Sequence, residues 1–463
     1  MTPRRPTAHQ LPLLLAPLVL ALTTVFPAAA AAQGNPSVAD ELKALKDKVN
    51  ELERKLESRG PGMTPDQQSE MNRIAVKTEA MEDSRDAAGM KMLKISGYMD
   101  PTFIWNKAQD RAGFQFLNRV DDDGYNYDNS YFGAAVIDFQ KETESGTKWR
   151  LTLAPNRGVG SVFDGTSPVH EATVSIPLGS LQTRFIAGQM PDWSGYEYLQ
   201  PTLNKLITHN LLFDFTLPTA YTGAGMEYSR SKWLSKLMIA NVNTAKKSSG
   251  NKTPAFVYRV DYAKGEFQGF GFAGLHGKLA NFKADEVDDT TGDLLFPNDS
   301  GKNTMAHLFE VDAYFMRGDV TWQGQLTYGT QKNAAITADP VTGALRDAQW
   351  IGASTLFAYK WMPRFETTAR LDYIQNKKNG GGLLGYTSAD DRNGIGPDAA
   401  GDPEKGANRM ALTLGASYLW DLNTTFKAEY RMDRANLPVF TNVKDGSSSK
   451  SNHLLATSVL VSF

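Results

Sequence analysis

From residue 91 to residue 463, apolar side chains fall at every second position, in runs separated by turn residues. YKWMPRFETTARLDY, residues 359–373, shows the unit. Phe357, Tyr359 and Trp361 lie on one face, Met362 to Arg364 turn, and Phe365, Thr367, Ala369, Leu371 and Tyr373 return on the same face. The other face carries Glu366, Thr368, Arg370 and Asp372. A period of two predicts amphipathic strands joined as hairpins. The unit recurs: Leu412, Leu414, Ala416, Tyr418 and Trp420 answer Phe426, Ala428, Tyr430 and Met432.

The pattern predicts sixteen strand cores, at 91–105, 130–140, 147–155, 169–178, 181–189, 221–228, 232–243, 253–263, 266–277, 304–316, 319–330, 348–361, 364–375, 408–420, 424–433 and 453–463. Only the strand at 266–277 has no clear apolar face, since Phe267 and Phe270 differ in parity. The connections alternate, seven short turns against eight long ones at 106–129, 156–168, 190–220, 244–252, 278–303, 331–347, 376–407 and 434–452. A sandwich has no reason to sort its loops in this way, whereas an outer-membrane barrel does, with short periplasmic turns and long external loops. Trp149, Trp233, Trp322, Trp361 and Trp420 stand beside short turns, where an interfacial aromatic girdle belongs. In hydrocarbon every strand amide must be paired, so the last strand must close on the first. The terminal stripe of Leu455, Thr457, Val459, Val461 and Phe463 is then lipid-facing wall.

With the apolar face outward, the alternate positions line the lumen. Parity assigns Arg150, Arg184, Glu227, Arg259, Asp261, Glu310, Arg370, Asp372, Lys427, Glu429 and Arg431 to it, with Asp138, Asp312, Glu366 and Asp433. Ile186 points inward if Arg184 does. Arginine at outward Leu414 is expected to be costly, and at inward Thr413 to be tolerated. Both signs of charge are present, which favours a general diffusion pore for small polar or ionic solutes over a dedicated phosphate channel.

The N-terminal part follows other rules. Arg4 and Arg5 precede LPLLLAPLVLALTTVF and the small residues Ala30 and Ala32, the form of a secretory signal peptide over residues 1–32. Val38, Leu42, Leu45, Val49, Leu52 and Leu56 then repeat at spacings of 4, 3, 4, 3 and 4, a coiled-coil seam. SRGPG at 58–62 breaks that helix, and Thr64 with Pro65 can restart it. The expected organisation is a leader over 1–32, a periplasmic helical segment and linker over 33–90, and a barrel over 91–463.

Composition narrows the chemistry. There is no cysteine, so disulfides and thiolate sites are excluded. Loss of the leader removes two arginines and takes the formal charge from -2 to -4, which gives no argument for nucleic acid. Mean hydropathy is -0.38, compatible with a barrel whose lumen and loops are wet. DDDGYNYDN at 121–129 and VDDTTGD at 287–293 lack the glycine placement of a calcium hand, and GGG at 380–382 lacks the context of a phosphate cradle. No metal, no cofactor and no catalysis are expected. The competing readings are a non-conducting structural or adhesive barrel and an outer-membrane hydrolase. For the latter, His170, His209, His276, His307 and His453 have no nucleophile and orienting acid assembled beside them in sequence.

The strand phrasing GDVTWQGQLTYG at 318–329 and TTFKAEYRMD at 424–433 resembles that of trimeric general and phosphate-selective porins of Gram-negative outer membranes. LKISGYMDPTFIWN, KLITHNLLFDFT, VYRVDYAKGEFQG and NKKNGGGLLGY are similar to a porin-like family of betaproteobacterial outer membranes, one that brings no substrate with it. The resemblance implies placement in the cell outer membrane among lipid and lipopolysaccharide. It also implies a homotrimer, with the seam as a periplasmic stalk. Leu455, Val459, Val461 and Phe463 then look like the signal that barrel-assembly machinery reads. By loop order it implies that the third long loop, PDWSGYEYLQPTLNKLITHNLLFDFTLPTAY, folds inward and narrows the pore. Asp192, Trp193, Tyr196, Glu197, Lys205, His209 and Asp214 are then the constriction candidates, with Tyr198 as a further stacking group.

Overall fold

The computed structural model describes residues 47, 50, 51, 65–87, 89–116, 133–154, 168–243, 253–263, 267–287, 290–296, 303–399 and 401–463. The leader and nearly all of the seam at 38–57 lie outside the described residues. The chain forms two compact units, Met1–Gly89 and Met90–Phe463.

In the first unit, helix α1 runs over Pro65–Ala87. Proline suits the first turn because its missing N–H would have no helical partner there. Glu70 and Arg73 pair at 2.6 Å one turn apart. Met71, Ile74, Val76 and Met81 are all more than half exposed, so the apolar residues form no sealed stripe within this unit.

The second unit is a closed sixteen-stranded antiparallel barrel. Its segments are β1 Leu93–Met99, β2 Thr102–Asn106, β3 Arg111–Gln115, β4 Ala135–Glu142, β5 Lys148–Leu153, β6 Val169–Ser180, β7 Thr183–Pro191, β8 Ala220–Arg230, β9 Trp233–Asn243 and β10 Ala255–Ala263. They continue with β11 Gln268–Ala280, β12 Asn303–Arg317, β13 Val320–Gln331, β14 Ala348–Met362, β15 Phe365–Gln375, β16 Arg409–Leu419 and β17 Thr424–Ala435. A small hairpin of β18 Phe440–Thr441 and β19 Ser448–Ser449 sits in the last long loop, before β20 Ser451–Ser462. The eighteen wall segments make sixteen strands because β1 with β2, and β3 with β4, each form one interrupted strand.

That second interruption corrects the expected strand at 130–140. The chain leaves β2 through a tight turn at residues 107–110 and pairs straight back, Asn106 opposite Arg111 and Thr102 opposite Gln115. The long insertion therefore splits the second strand instead of joining two strands. The break is matched next door, where Pro101 interrupts the first strand. Asp100 accepts from the Gly133 and Ala134 N–H groups, at 3.0 and 2.6 Å, and so supplies partners that the ladder lacks.

Closure is direct: β20 pairs with β17 on one side and with β1 and β2 on the other. Thr457, Val461 and Phe463 are exposed and Leu455 and Val459 half-buried, while Asn452, Leu454, Ala456, Ser458 and Leu460 are buried. The terminal stripe faces outward. Gly97 and Phe463 exchange backbone hydrogen bonds of 3.0 and 3.1 Å. A Cβ on Gly97 would meet the Phe463 ring at 2.7 Å, so glycine leaves the last ring its seat on the first strand. Trp233, Trp322, Trp361 and Trp420 are exposed at the short-turn rim, in the girdle position. In β11 the faces resolve: Phe270 and Phe272 point out, Ala273 and Leu275 in. Ile186 is buried on the same face as Arg184.

Candidate functional site on the inner wall

The segment 192–219 connects β7 to β8 and packs on inward-facing wall residues. Its centre is the five-residue helix α2, Leu211–Phe215. Asn210 caps it, its side-chain oxygen accepting from the Phe213 N–H at 2.8 Å. Leu211, Leu212, Phe215 and Leu217 are fully buried in a cluster with Val257, Leu275, Leu308, Trp350, Ile374, Leu454 and the loop residues Leu383, Leu384 and Tyr386. Each such leucine contributes about 1.5–3 kcal/mol relative to exposure. Gly352 makes room for this contact, since a Cβ there would stand 2.9 Å from Leu212 Cγ.

Polar contacts then fix the segment to β15 and β17. Glu429 accepts from the Ile207 and Thr208 N–H groups at 2.6 and 3.0 Å, and from the Thr208 hydroxyl. Arg370 donates to the Thr208 and His209 carbonyls at 2.7 and 2.8 Å, and pairs with Glu197 at 2.8 Å and Asp372 at 3.1 Å. Arg431 donates to the His209 carbonyl at 2.7 Å and pairs with Asp433 at 3.1 Å. Lys427 donates to the Pro201 and Asn204 carbonyls, both at 2.7 Å, and Lys205 meets Glu366 at 2.8 Å. Such buried charges are tolerable because each is paired or hydrogen-bonded.

The side chains of the remaining loop candidates make other contacts. Tyr196 Oη lies 2.6 Å from Ser354 Oγ. Asp192 accepts from the Tyr221 hydroxyl and, at 3.0 Å, from the Ser194 N–H. Trp193 packs at a tilt of 46° against Tyr221 with ring centroids 5.0 Å apart, and the Lys236 ammonium stands 5.6 Å from its ring centroid. His209 is buried, its Nε2 2.8 Å from the Tyr198 carbonyl oxygen and its Nδ1 3.9 Å from Asp214. Burial pushes His209 down to about 3, so it is neutral. Burial raises Asp214 to about 7 against the opposing field of Arg431, and Asp192 to about 6 against the Tyr221 hydrogen bond. Burial also raises Glu197 to about 7, opposed chiefly by Arg370.

The rest of the inner wall differs. The side chains of Arg150, Glu227, Lys236 and Asp261 are between 26% and 32% exposed, whereas those of Arg370, Asp372, Arg431 and Asp433 are fully buried. Thr173, Ser175, Gly223, Gly225 and Gln323 are half-buried as well. Water therefore reaches these positions on β5, β6, β8 to β10 and β13, while the segment 192–219 covers the charged rows of β15 and β17; its apolar cluster also reaches Met238, Val257, Leu275, Leu308 and Leu454. Arg184 stays with the short-turn end, donating to Ser175 Oγ at 2.7 Å and the Gly146 carbonyl at 2.7 Å. Arg259 pairs with Asp261 and Asp312, each at 2.7 Å, and lies 3.7 Å from buried Glu310.

The reading by parity leaves out Lys236, Glu171 and the apolar inner wall. Lys236 shares its face with Met238 and Ala240, which are buried inward. A rule that puts apolar residues outward reads that face backwards, and the covering segment decides it. Glu171 has the parity of inward Thr173 and Ser175, opposite exposed Val174 and Ile176, so its own strand carries the signal; the bulge at residue 170 alters parity only before it.

A family match spans residues 10–463 of the chain. The chain belongs to DUF3138, a family described as proteins of unknown function. No curated protein matches this DUF3138 chain. Its barrel is similar to that of OmpTdeltaL8, a loop L8 deletion mutant of OmpT, an outer membrane protein of Vibrio cholerae. The TM-score is 0.50 at 12% identity, covering 80% of this chain and 99% of that one. An anion-selective porin from Comamonas acidovorans gives 0.49 at 10% identity, with coverages of 80% and 99%. Salmonella typhi OmpF, in complex with daunomycin, gives 0.49 at 13%, with 80% and 97%. The DUF3138 chain thus has the barrel fold of bacterial outer-membrane porins, and that fold supports an outer-membrane location.

Proposed function

We propose that the chain is a porin for passive diffusion of small polar or ionic solutes, narrowed by the segment Trp193 to Asp214. One observation carries this reading: that segment is clamped to the β14–β17 sector, while charged side chains of the β5–β10 sector stay accessible to water. A path narrowed from one side is what a size-limiting channel needs. Single-channel recording in a planar bilayer tests it. The wild type is expected to give discrete conductance steps, and a protein shortened between Trp193 and Asp214 larger ones. A folded barrel without steps rejects the reading.

The same proposal covers the surroundings. Residues 1–32 act as an export leader, 33–90 lie in the periplasm, and the barrel inserts by way of the assembly machinery into a lipopolysaccharide-bearing membrane. The oligomer is a homotrimer of a betaproteobacterial type, and a native mass of one or two chains would reject that. Catalysis is not part of the reading; lipid hydrolysis lost on replacing one of the five histidines would contradict it.

A non-conducting structural or adhesive barrel has one observation in its favour. The apolar cluster of Leu211, Leu212, Phe215, Leu383, Leu384 and Tyr386 reaches inward wall residues on several strands, including Val257, Leu308, Trp350 and Leu454. If that cluster seals the whole section, the recording shows no steps.

A further inference from the structure

We propose that His276 and His307 form a two-histidine site for a divalent late d-block ion (Cu2+, Ni2+ or Zn2+) on the outer face of the barrel. The proposal does not depend on the channel reading above. The two residues lie 31 apart in sequence, so no motif joins them. Register does: His276 of β11 stands directly opposite His307 of β12. Their Nδ1 atoms are 3.1 Å apart. Two imidazole nitrogens in neighbouring positions on one such ion, each about 2.0–2.1 Å from it, stand about 3 Å apart. The pair already has the spacing that a chelate needs.

Both rings point outward. Their row runs Phe256, His276, His307 and Thr330 across four strands, and Phe272 and Phe309 share its exposed face. Ionisable rings on a lipid-facing wall are costly to keep and so mark function by default. Lys278, the next outward residue of β11, is exposed and charged, so the pair stands where the apolar band meets the long-loop rim. Phe309 packs on His276 with ring centroids 4.7 Å apart, and Tyr258 stands at 5.7 Å, which restrains that ring. Neither histidine has another hydrogen-bond partner among the described residues. Imidazole nitrogen favours these ions over Ca2+ and Mg2+, which take oxygen ligands. Among the described residues no third carboxylate or histidine completes the set, so water fills the remaining positions and the ion exchanges. His453 supplies the contrast. It also faces outward, on β20, but its Nδ1 meets the Tyr430 hydroxyl at 2.7 Å and no second imidazole.

Cu2+ is the probe, added at up to one equivalent to the untagged protein folded in detergent at about pH 7.5. The chain has no cysteine to compete for it. Electron paramagnetic resonance is expected to show one bound Cu2+ per chain with two nitrogen ligands. His276→Phe and His307→Phe suit the lipid face and should keep heat-modifiable folding. Each should weaken Cu2+ binding by at least the roughly tenfold that loss of a mere supporting group costs. His453→Phe should leave it unchanged. The wild type carries a further test that needs no variant to fold. Protons compete for imidazole near its ordinary value of about 6.5, so the two-nitrogen signal should be lost by about pH 5 and should survive excess Ca2+. No two-nitrogen signal in the wild type, or one that persists at about pH 5 or yields to Ca2+, overturns the site. So does a signal retained in either folded variant or lost in His453→Phe.

Discussion

Two sectors of one inner wall carry the same alternation of charge and meet opposite fates. On β15 and β17, Arg370, Asp372, Glu429, Arg431 and Asp433 are buried under the segment 192–219. On β8 to β10, Glu227, Lys236 and Asp261 remain about a quarter to a third exposed. The strands do not differ in pattern or pairing; the covering segment makes the difference. In the covered sector each charge is a structural part, desolvated and dependent on its partner. In the open sector a charge is screened by water and contributes little to stability. Charge on a barrel wall thus becomes structural or functional according to what lies over it.

The contrast breaks hardest at Arg370. Arg370→Ala takes the charged donor from buried Glu197 and Asp372 and one donor from each of two loop carbonyls, at a cost of about 3–5 kcal/mol. Lys236→Ala in the open sector should cost under about 1 kcal/mol. Unfolding titrations in detergent compare the two, and similar costs would erase the distinction between sectors.

The next effect uses adjacent residues of β16. Leu414→Arg puts a charge on the lipid face and should cost roughly 2–4 kcal/mol if near the midplane. Thr413→Arg, expected from parity alone to be tolerated, should now be damaging as well. Thr413 is fully buried, its hydroxyl 3.4 Å from Arg370 Nη2, so a new guanidinium there meets an existing one without water between them. A mild Thr413→Arg phenotype would mean that the covering segment moves aside easily. Deleting Phe463 comes third. It removes two backbone bonds of the closing seam and the ring on Gly97, and should lower the folded, heat-modifiable fraction in outer membranes.

The last effect is a pH dependence. The Asp214 carboxyl is raised to about 7 in the folded state, from an ordinary value near 4. The folded protein therefore holds that proton to higher pH than the unfolded chain does. Its stabilising contribution is present below the unfolded value and is lost as pH rises through about 7. Relative to Asp214→Asn, wild type should lose stability between pH 5 and 8. A difference that is flat across that range would contradict the assignment.

Much of the barrel was legible because period-two alternation and loop sorting are local signals. The hairpin of β14 and β15, the outward stripe of β20 and the inward row of β17 all follow from them. The short β3 escaped because a five-residue run carries too few alternations to stand out from a loop. The inner apolar wall escaped for a different reason. Trp350, Val257 and Leu454 are inward and buried because the loops over them are apolar. LLFDF announced an apolar loop, yet no position in the wall strands names its partner. Thr208, which hydrogen-bonds Glu429 and Arg370, has no local signature at all.

The central claim is that water, and with it solute, passes along β5 to β10 but not behind the segment 192–219. The chain has no native cysteine, so a single introduced thiol reports on its own surroundings. Glu227→Cys and Thr413→Cys, each the sole thiol, can be exposed to a small charged thiol reagent during single-channel recording. Modification at 227 should step the conductance down, while the channel carrying the thiol at 413 should be unchanged. A conductance indifferent to the thiol at 227, or a thiol at 413 that reacts as readily, would contradict the account.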